Sequence, residues 1–271
     1  MKINTAGRVA KRFKNEELGI HWRVDDTRES FDRLLYHLDV KTNTKPYFEE
    51  ALAHLNLNDD RFGEGLVVAD IGAGVCWTSA ILAKHPKVKL VYAVDPSDTR
   101  LKHGRSVVRH FGAENKVRII HGTFLEPNIP QKPDLIVLCG SFHHCYDNEV
   151  DGLFSNMRRL LKPGGEILIT GEHYIDRIWI LKRFLGYLYH FRDRSKLNYG
   201  LKNLRAPHPF GGDHWRVRKE IDRIFRNNGF IPRIFIHKGL LSKDAFPFYR
   251  RLGWHYYYAM LKKDKNGGIE T

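Results

Sequence analysis

Cysteine is scarce in this 271-residue chain, with only Cys76, Cys139 and Cys145 present. Three cysteines cannot build the disulfide framework of a small secreted fold, so the expected home is a reducing cytoplasm. No run reaches the roughly 18 apolar residues of a membrane span. Met1 to Arg8 carries charge with no apolar stretch behind it, so no secretory signal is expected. Metal-ligand spacings are missing too. There is no C-x-x-C and no H-E-x-x-H, and Cys145 beside His143-His144 does not make a zinc site, so no metal is expected. Ser141 lacks the G-x-S-x-G elbow of a serine hydrolase. Repeats and low-complexity tracts are also absent.

Positive charge is in excess. Lys plus Arg number 45 against 31 Asp plus Glu, a formal net charge of +14 with pI ≈ 9.7. The excess is local. Residues 177–251 hold 18 basic and 5 acidic side chains, whereas residues 61–176 hold 14 and 13. A whole-molecule polyelectrolyte is thereby excluded, and the basic stretch is left to be explained by nucleic acid, an anionic surface or an anionic substrate.

Hydrophobic periodicity divides the chain. Residues 1–60 read as a helical cap: Phe31, Leu34, Leu35 and Leu38 fall on one helical face, and Pro46 opens a second helix. Residues 61–271 form the core, and strands and helices alternate from Leu66. Strands are expected at 66–71, 89–95, 117–121, 135–139, 166–170, 230–237 and 254–261, with helices at 76–84, 98–110, 148–161 and 217–227. The first strands are continuous apolar runs, as in a parallel sheet covered on both faces. The expected fold class is α/β, a doubly wound and mostly parallel seven-stranded sheet. Residues 174–215 break the rhythm with Trp179, Phe184, Tyr187 and Tyr199 among basic residues, and read as a lid inserted after the fifth strand.

Ligands of such a sheet bind at the carboxyl ends of the strands. The first strand ends Asp70-Ile71-Gly72-Ala73-Gly74-Val75-Cys76-Trp77, and the second ends on Asp95, 21 residues after Gly74. A carboxylate at Asp95 suits a ribose diol. A dinucleotide would need a third glycine where Trp77 stands, and Asp70 would oppose its pyrophosphate. An acid there favours a cationic nucleoside instead. S-adenosylmethionine, with its ribose, ammonium and sulfonium, is such a ligand.

On these residues the chain resembles the class I, Rossmann-like S-adenosylmethionine-dependent methyltransferases. The pieces are Val67 to Gly74, Val91 to Asp95, Asp134 to His144 and Arg159 to Gly165, in order and at suitable spacing. The resemblance implies that Asp70, Gly72 and Gly74 line the methionine part of the cofactor. It implies Asp95 for the ribose, Pro96, Thr123 and Phe124 for the adenine, and the Cys139 carbonyl for the amino group. Two positions depart from the family: the third motif glycine is lost at Cys76-Trp77, and Gly122-Thr123 replaces a Gly-Asp pair.

Methyl transfer to a hydroxyl needs a base. His143 and His144 follow the fourth strand. Glu172 and His173 follow the fifth and point to the same mouth. His214, in Gly211-Gly212-Asp213-His214, belongs to the lid. Each has a plain alternative, as a wall or loop residue. The expected function is methylation of a small-molecule acceptor, an O-methylation of a sugar, lipid-linked or secondary-metabolite hydroxyl, with an anionic acceptor suggested by Arg205, Arg216 and Arg218. Nucleic-acid methylation is the alternative, without the Asn/Asp-Pro-Pro-aromatic motif to support it. An inactive cofactor-binding scaffold is a second alternative, and the apolar, basic-edged stretch 178–189 leaves peripheral membrane contact open.

Overall fold

The computed structural model describes residues 18–174, 216–238 and 255–264, with scattered positions between 180 and 198. Seven strands make one sheet: β1 (Leu66–Ile71), β2 (Val88–Asp95), β3 (Val117–His121), β4 (Leu135–Cys139), β5 (Glu166–His173), β6 (Phe230–Lys238) and β7 (His255–Lys263). Their spatial order is β3-β2-β1-β4-β5-β7-β6. Neighbours among β1 to β5 pair in parallel, and only β7 runs against its neighbours, β5 and β6. This is the expected doubly wound sheet. The connections reverse direction between β1 and β4, which opens a crevice at the carboxyl ends of those two strands.

Helices cover both faces. They are α1 (Arg28–Tyr36), α2 (Thr44–Leu55), α3 (Trp77–Lys84), α4 (Asp98–His110), α5 (Val150–Leu160) and α6 (Arg218–Asn227). Successive strand side chains point to opposite faces. Val68 and Val91 thus join an apolar cluster with α1 to α4, while Ala69, Ile136 and Leu138 join a second with α5 and α6. On the second face Phe154 of α5 meets Phe142, Phe225 and Phe230 edge to face, at centroid distances of 5.4–5.8 Å.

The amino-terminal helices share the core of the first face. Phe31 of α1 stacks on His110 and meets Phe111 edge-on at the end of α4. Phe48 of α2 meets Trp77 edge-on at 5.4 Å. Trp77 therefore has a structural use at the position where a dinucleotide motif would want glycine: it anchors α2 over the mouth of the sheet. Cys76 before it adopts φ +59°, and its sulfur packs where a side chain on Gly104 of α4 would otherwise stand. The missing glycine of the first loop is thus matched by a glycine in the neighbouring helix.

One strand end differs from expectation. β5 continues past Thr170 to His173, so Glu172 and His173 do not follow the strand; they are its last two residues. Gly171, at φ +70°, sits in a register shift against β7, after which Glu172 pairs with Tyr257 and His173 with Tyr256. A glycine that reads as a stop in sequence is here a bulge, which re-aims the strand without ending it. The lid expected over 174–215, with Arg205 and His214, and residues 1–17 of the cap fall outside the described residues, apart from a few positions. Among the described residues no helix is long and apolar enough to cross a membrane.

Candidate functional site

Two cavities open at the carboxyl ends of the strands and share Gly72, Arg100 and Gly140. The smaller, about 440 Å³, is walled by Asp95, Pro96, Gly122, Thr123, Phe124, Ser141 and His144 as well. The larger, about 860 Å³, is walled by Gly74, Val75, Cys139 and Gly171, by the rings of Trp22, His37, Trp77, His173 and Tyr256, and by Thr42 and Thr44.

The walls of the smaller cavity are built by backbone geometry. Asp95 ends β2 at 4 % exposure. Its Oδ2 accepts the Gly74 N–H at 2.8 Å and its Oδ1 the Ser97 N–H at 2.9 Å, so one carboxylate joins the β1 turn to the start of α4. Gly72 follows β1 at φ +79°, and a Cβ there would lie 2.5 Å from the Ser141 Cβ. Only glycine permits this approach, which Ser141 secures by donating its hydroxyl to the Ile71 carbonyl at 3.0 Å.

Asp70 lies behind both cavities, fully buried, and lines neither. Its Oδ2 accepts the hydroxyls of Thr78 and Ser79, while Oδ1 has no hydrogen-bond partner. Burial, with a smaller contribution from the Asp95 charge, raises its pKa to about 6 against the two hydroxyl bonds that lower it. Among the other residues expected at the cofactor, Gly72, Asp95, Pro96, Thr123 and Phe124 surround the smaller cavity, and Gly72, Gly74 and Cys139 the larger. Burial pushes the Cys139 thiol well above its usual range, so it is no nucleophile at neutral pH.

The histidines separate. His144 lines the smaller cavity and His173 the larger. His143 lies between them, with ring centroids 4.1 Å from His144 and 6.1 Å from His173. Glu172 points into the turn after β4, where its carboxylate accepts the N–H groups of Ser141, Phe142 and His143 and meets His143 Nδ1 at 2.9 Å. Arg216 holds the same turn from the opposite side. It is buried, donates to the Cys145 carbonyl and to Asp147, and lies over the Phe142 ring. This corrects its place in the expected acceptor-facing basic patch: Arg216 is a structural brace. Among the described residues no group of three or more His, Cys, Asp or Glu is placed to hold a metal ion.

Sequence reasoning missed Arg100, at the junction of the two cavities, and the larger cavity's ring-bearing residues Trp22, His37 and Tyr256. Arg100 had a local signal, since it lies five residues after Asp95 in the first turn of α4. The others come from opposite ends of the chain, and only the folded topology brings them together.

Residues 68–165 match the family model described as a methyltransferase domain. These residues carry a methyltransferase domain. The chain is 32 % identical over 172 residues to a probable protein arginine N-methyltransferase 6 of Arabidopsis thaliana, a match covering 57 % of this chain and 38 % of that protein. The chain thus spans well under half the length of this curated relative. Two solved structures share the fold. Magnesium protoporphyrin IX methyltransferase of Synechocystis PCC 6803, with bound S-adenosylhomocysteine, aligns at TM-score 0.56 and 14 % identity over 96 % of this chain and 94 % of that one. The 1,6-didemethyltoxoflavin-N1-methyltransferase of Burkholderia thailandensis aligns at TM-score 0.56 and 16 % identity over 97 % and 92 %.

The site fits the family's cofactor, S-adenosylmethionine, on its own chemistry. The Asp95 carboxylate faces a cavity floored by a side-chain-free turn and bordered by the Phe124 ring, and a buried carboxyl with an unpartnered oxygen lies behind. That donor set suits a nucleoside that carries a cationic arm.

Proposed function

We propose that the protein methylates a flat, neutral or anionic small molecule on a hydroxyl group. The observation that carries this reading is the pair of joined cavities. One has the ribose-binding carboxylate of Asp95. The other has five ring-bearing residues, the Arg100 cation at its border, and no carboxylate among its described walls. Aromatic walls favour a planar acceptor.

When bound, S-adenosylmethionine supplies a methyl group already activated on a sulfonium. The protein's contribution is to hold the nucleoside at Asp95, to orient the acceptor from the larger cavity, and to exclude water. Such orientation contributes about 7–11 kcal/mol. For a hydroxyl acceptor the proton also has to leave, and each cavity has one imidazole in its wall, His144 in the smaller and His173 in the larger.

A guanidinium acceptor, suggested by the name of the plant relative, would need carboxylates in the larger cavity, and the described walls offer none. Nucleic acid remains the weaker reading for the same lack of supporting motif. Free Cys76, Cys139 and Cys145 agree with a reducing, cytoplasmic setting.

The test is a panel of three acceptors under identical conditions: 3,4-dihydroxybenzoate, neutral catechol and cationic dopamine. Transfer of labelled methyl with the order anionic, then neutral, then cationic supports the reading. Preference for dopamine, or for an arginine peptide, overturns it.

A further inference from the structure

We propose that His37 and Tyr256 are the acceptor-binding residues of the larger cavity, and that together they hydrogen-bond hydroxyl groups, which makes the substrate class a planar compound with two or more hydroxyls. This rests on the small-molecule reading above.

Most polar side chains in that wall are already committed. Thr44 donates its hydroxyl to the Thr42 hydroxyl at 2.6 Å, and Thr42 donates to the His37 carbonyl at 3.0 Å. Arg100 and His173 have partners of their own. The indoles of Trp22 and Trp77 can donate but not accept. His37 and Tyr256 are different. Both are half-buried residues of the wall. Among the described residues neither ring nitrogen of His37 has a hydrogen-bond partner, nor does the Tyr256 hydroxyl; the contacts of both side chains are with other rings. Polar groups taken largely out of water normally find a partner, and the cavity is where these two can find one.

Both are held in place without using those atoms. His37 opens a single π turn, His37–Lys41, directly after α1, and its carbonyl accepts both the N–H and the hydroxyl of Thr42 at 3.0 Å. Such turns occur frequently at functional sites. The His37 ring stacks on His21, with centroids 3.7 Å apart, and meets Trp22 edge-on at 5.0 Å. Tyr256 pairs with His173 of β5 on one side and His237 of β6 on the other. Its ring lies 5.0 Å from the His173 ring and 5.4 Å from that of Tyr47. A polar group whose position is set by packing, and whose bonding capacity is unspent, is preorganised for a ligand.

Charge state decides what each can bind. Burial, and then repulsion from His21 and Lys41, lower the His37 pKa to about 4, so the ring is neutral at pH 7. In either tautomer it offers one N–H donor and one lone pair. Burial, and then Tyr47, raise the Tyr256 pKa, so the phenol keeps its proton and both donates and accepts. Neutral groups that donate and accept match hydroxyls, which do the same. The two come from opposite ends of the chain, the amino-terminal cap and β7, and so give the acceptor two separate points of attachment. An acceptor lacking the hydroxyls leaves those groups unpaired and is rejected.

The test is calorimetry on the intact chain saturated with S-adenosylhomocysteine, which needs no turnover. The probes are 3,4-dihydroxybenzoate and benzoate, which differ only in the two hydroxyls. His37→Phe and Tyr256→Phe each keep an aromatic ring and remove the hydrogen-bonding atoms. Each variant is expected to bind 3,4-dihydroxybenzoate about tenfold more weakly than the wild type, to bind benzoate as the wild type does, and to keep its affinity for S-adenosylhomocysteine. His37→Gln, which restores a donor and an acceptor, is expected to recover part of the loss. An unmoved affinity for 3,4-dihydroxybenzoate in either variant, or an equal loss for benzoate, overturns the pair. If the wild type binds S-adenosylhomocysteine but neither 3,4-dihydroxybenzoate nor catechol, the planar-acceptor reading fails and the pair with it. If the wild type binds them and the variants match it, the pair alone fails.

Discussion

Asp70 and Glu172 are both buried carboxyls, yet their environments push them in opposite directions. Burial raises Asp70 from 3.8 to about 6, a difference of about 3 kcal/mol. Its contribution to folding is full below its unfolded value, and is lost as pH rises through about 6. Bound cationic cofactor reverses that preference by favouring the charged form. Calorimetry of S-adenosylmethionine binding should therefore show affinity falling as pH drops from 7.5 to 5, with the dependence flattened in Asp70→Asn. A pH-independent affinity in the wild type would separate Asp70 from the cofactor. Glu172 runs the other way. Held below its usual 4.5, it stabilises the fold above that value, and the contribution disappears as pH falls through the lowered one.

Elements explain what the sequence made legible and what it hid. Strands β1, β3 and β4 fall where their apolar runs end, and α4 spans the expected 98–110, where the structure adds a Ser97 side-chain cap, because buried parallel strands and helices are specified by local pattern. β5 was shortened because Gly171 reads as punctuation; only the ladder with β7 shows that the chain pairs on through a bulge. Asp95 and Gly72 were legible because motif spacing reports them. Tyr256, Trp22 and His37 were not, since their shared cavity exists only after β7 inserts beside β5 and the amino-terminal helices dock.

Two substitutions test these elements. Phe154→Ala removes the ring that joins α5 to α6 and β6, and should cost about 3–5 kcal/mol in urea denaturation. Gly72→Ala forces a Cβ onto Ser141 at positive φ. The variant should lose cofactor binding while the helical signal in circular dichroism is retained. Intact binding would show that the turn can shift aside.

At the scale of the molecule, the charge of +14 is unevenly spread. Residues 61–176, which supply the walls of the smaller cavity, are nearly neutral, with 14 basic and 13 acidic side chains. Arg218, Lys219, Arg223, Arg226 and Arg233 stand exposed on α6 and β6. Arg216, by contrast, is spent on the turn that also receives Glu172. If the exposed cations guide an anionic acceptor, KM for 3,4-dihydroxybenzoate should rise several-fold between 50 and 300 mM salt while that for catechol stays level, as screening over about one Debye length requires. Equal salt dependence for both would reduce these residues to a solvated face.

The central claim is that Asp95 anchors a nucleoside in the smaller of two joined cavities. Isothermal calorimetry of S-adenosylmethionine against the wild type and Asp95→Ala tests it most directly. The account predicts saturable one-to-one binding by the wild type and affinity at least about tenfold weaker in the variant, about 1.4 kcal/mol or more. No heat with the wild type, or equal affinity in the two proteins, would contradict it.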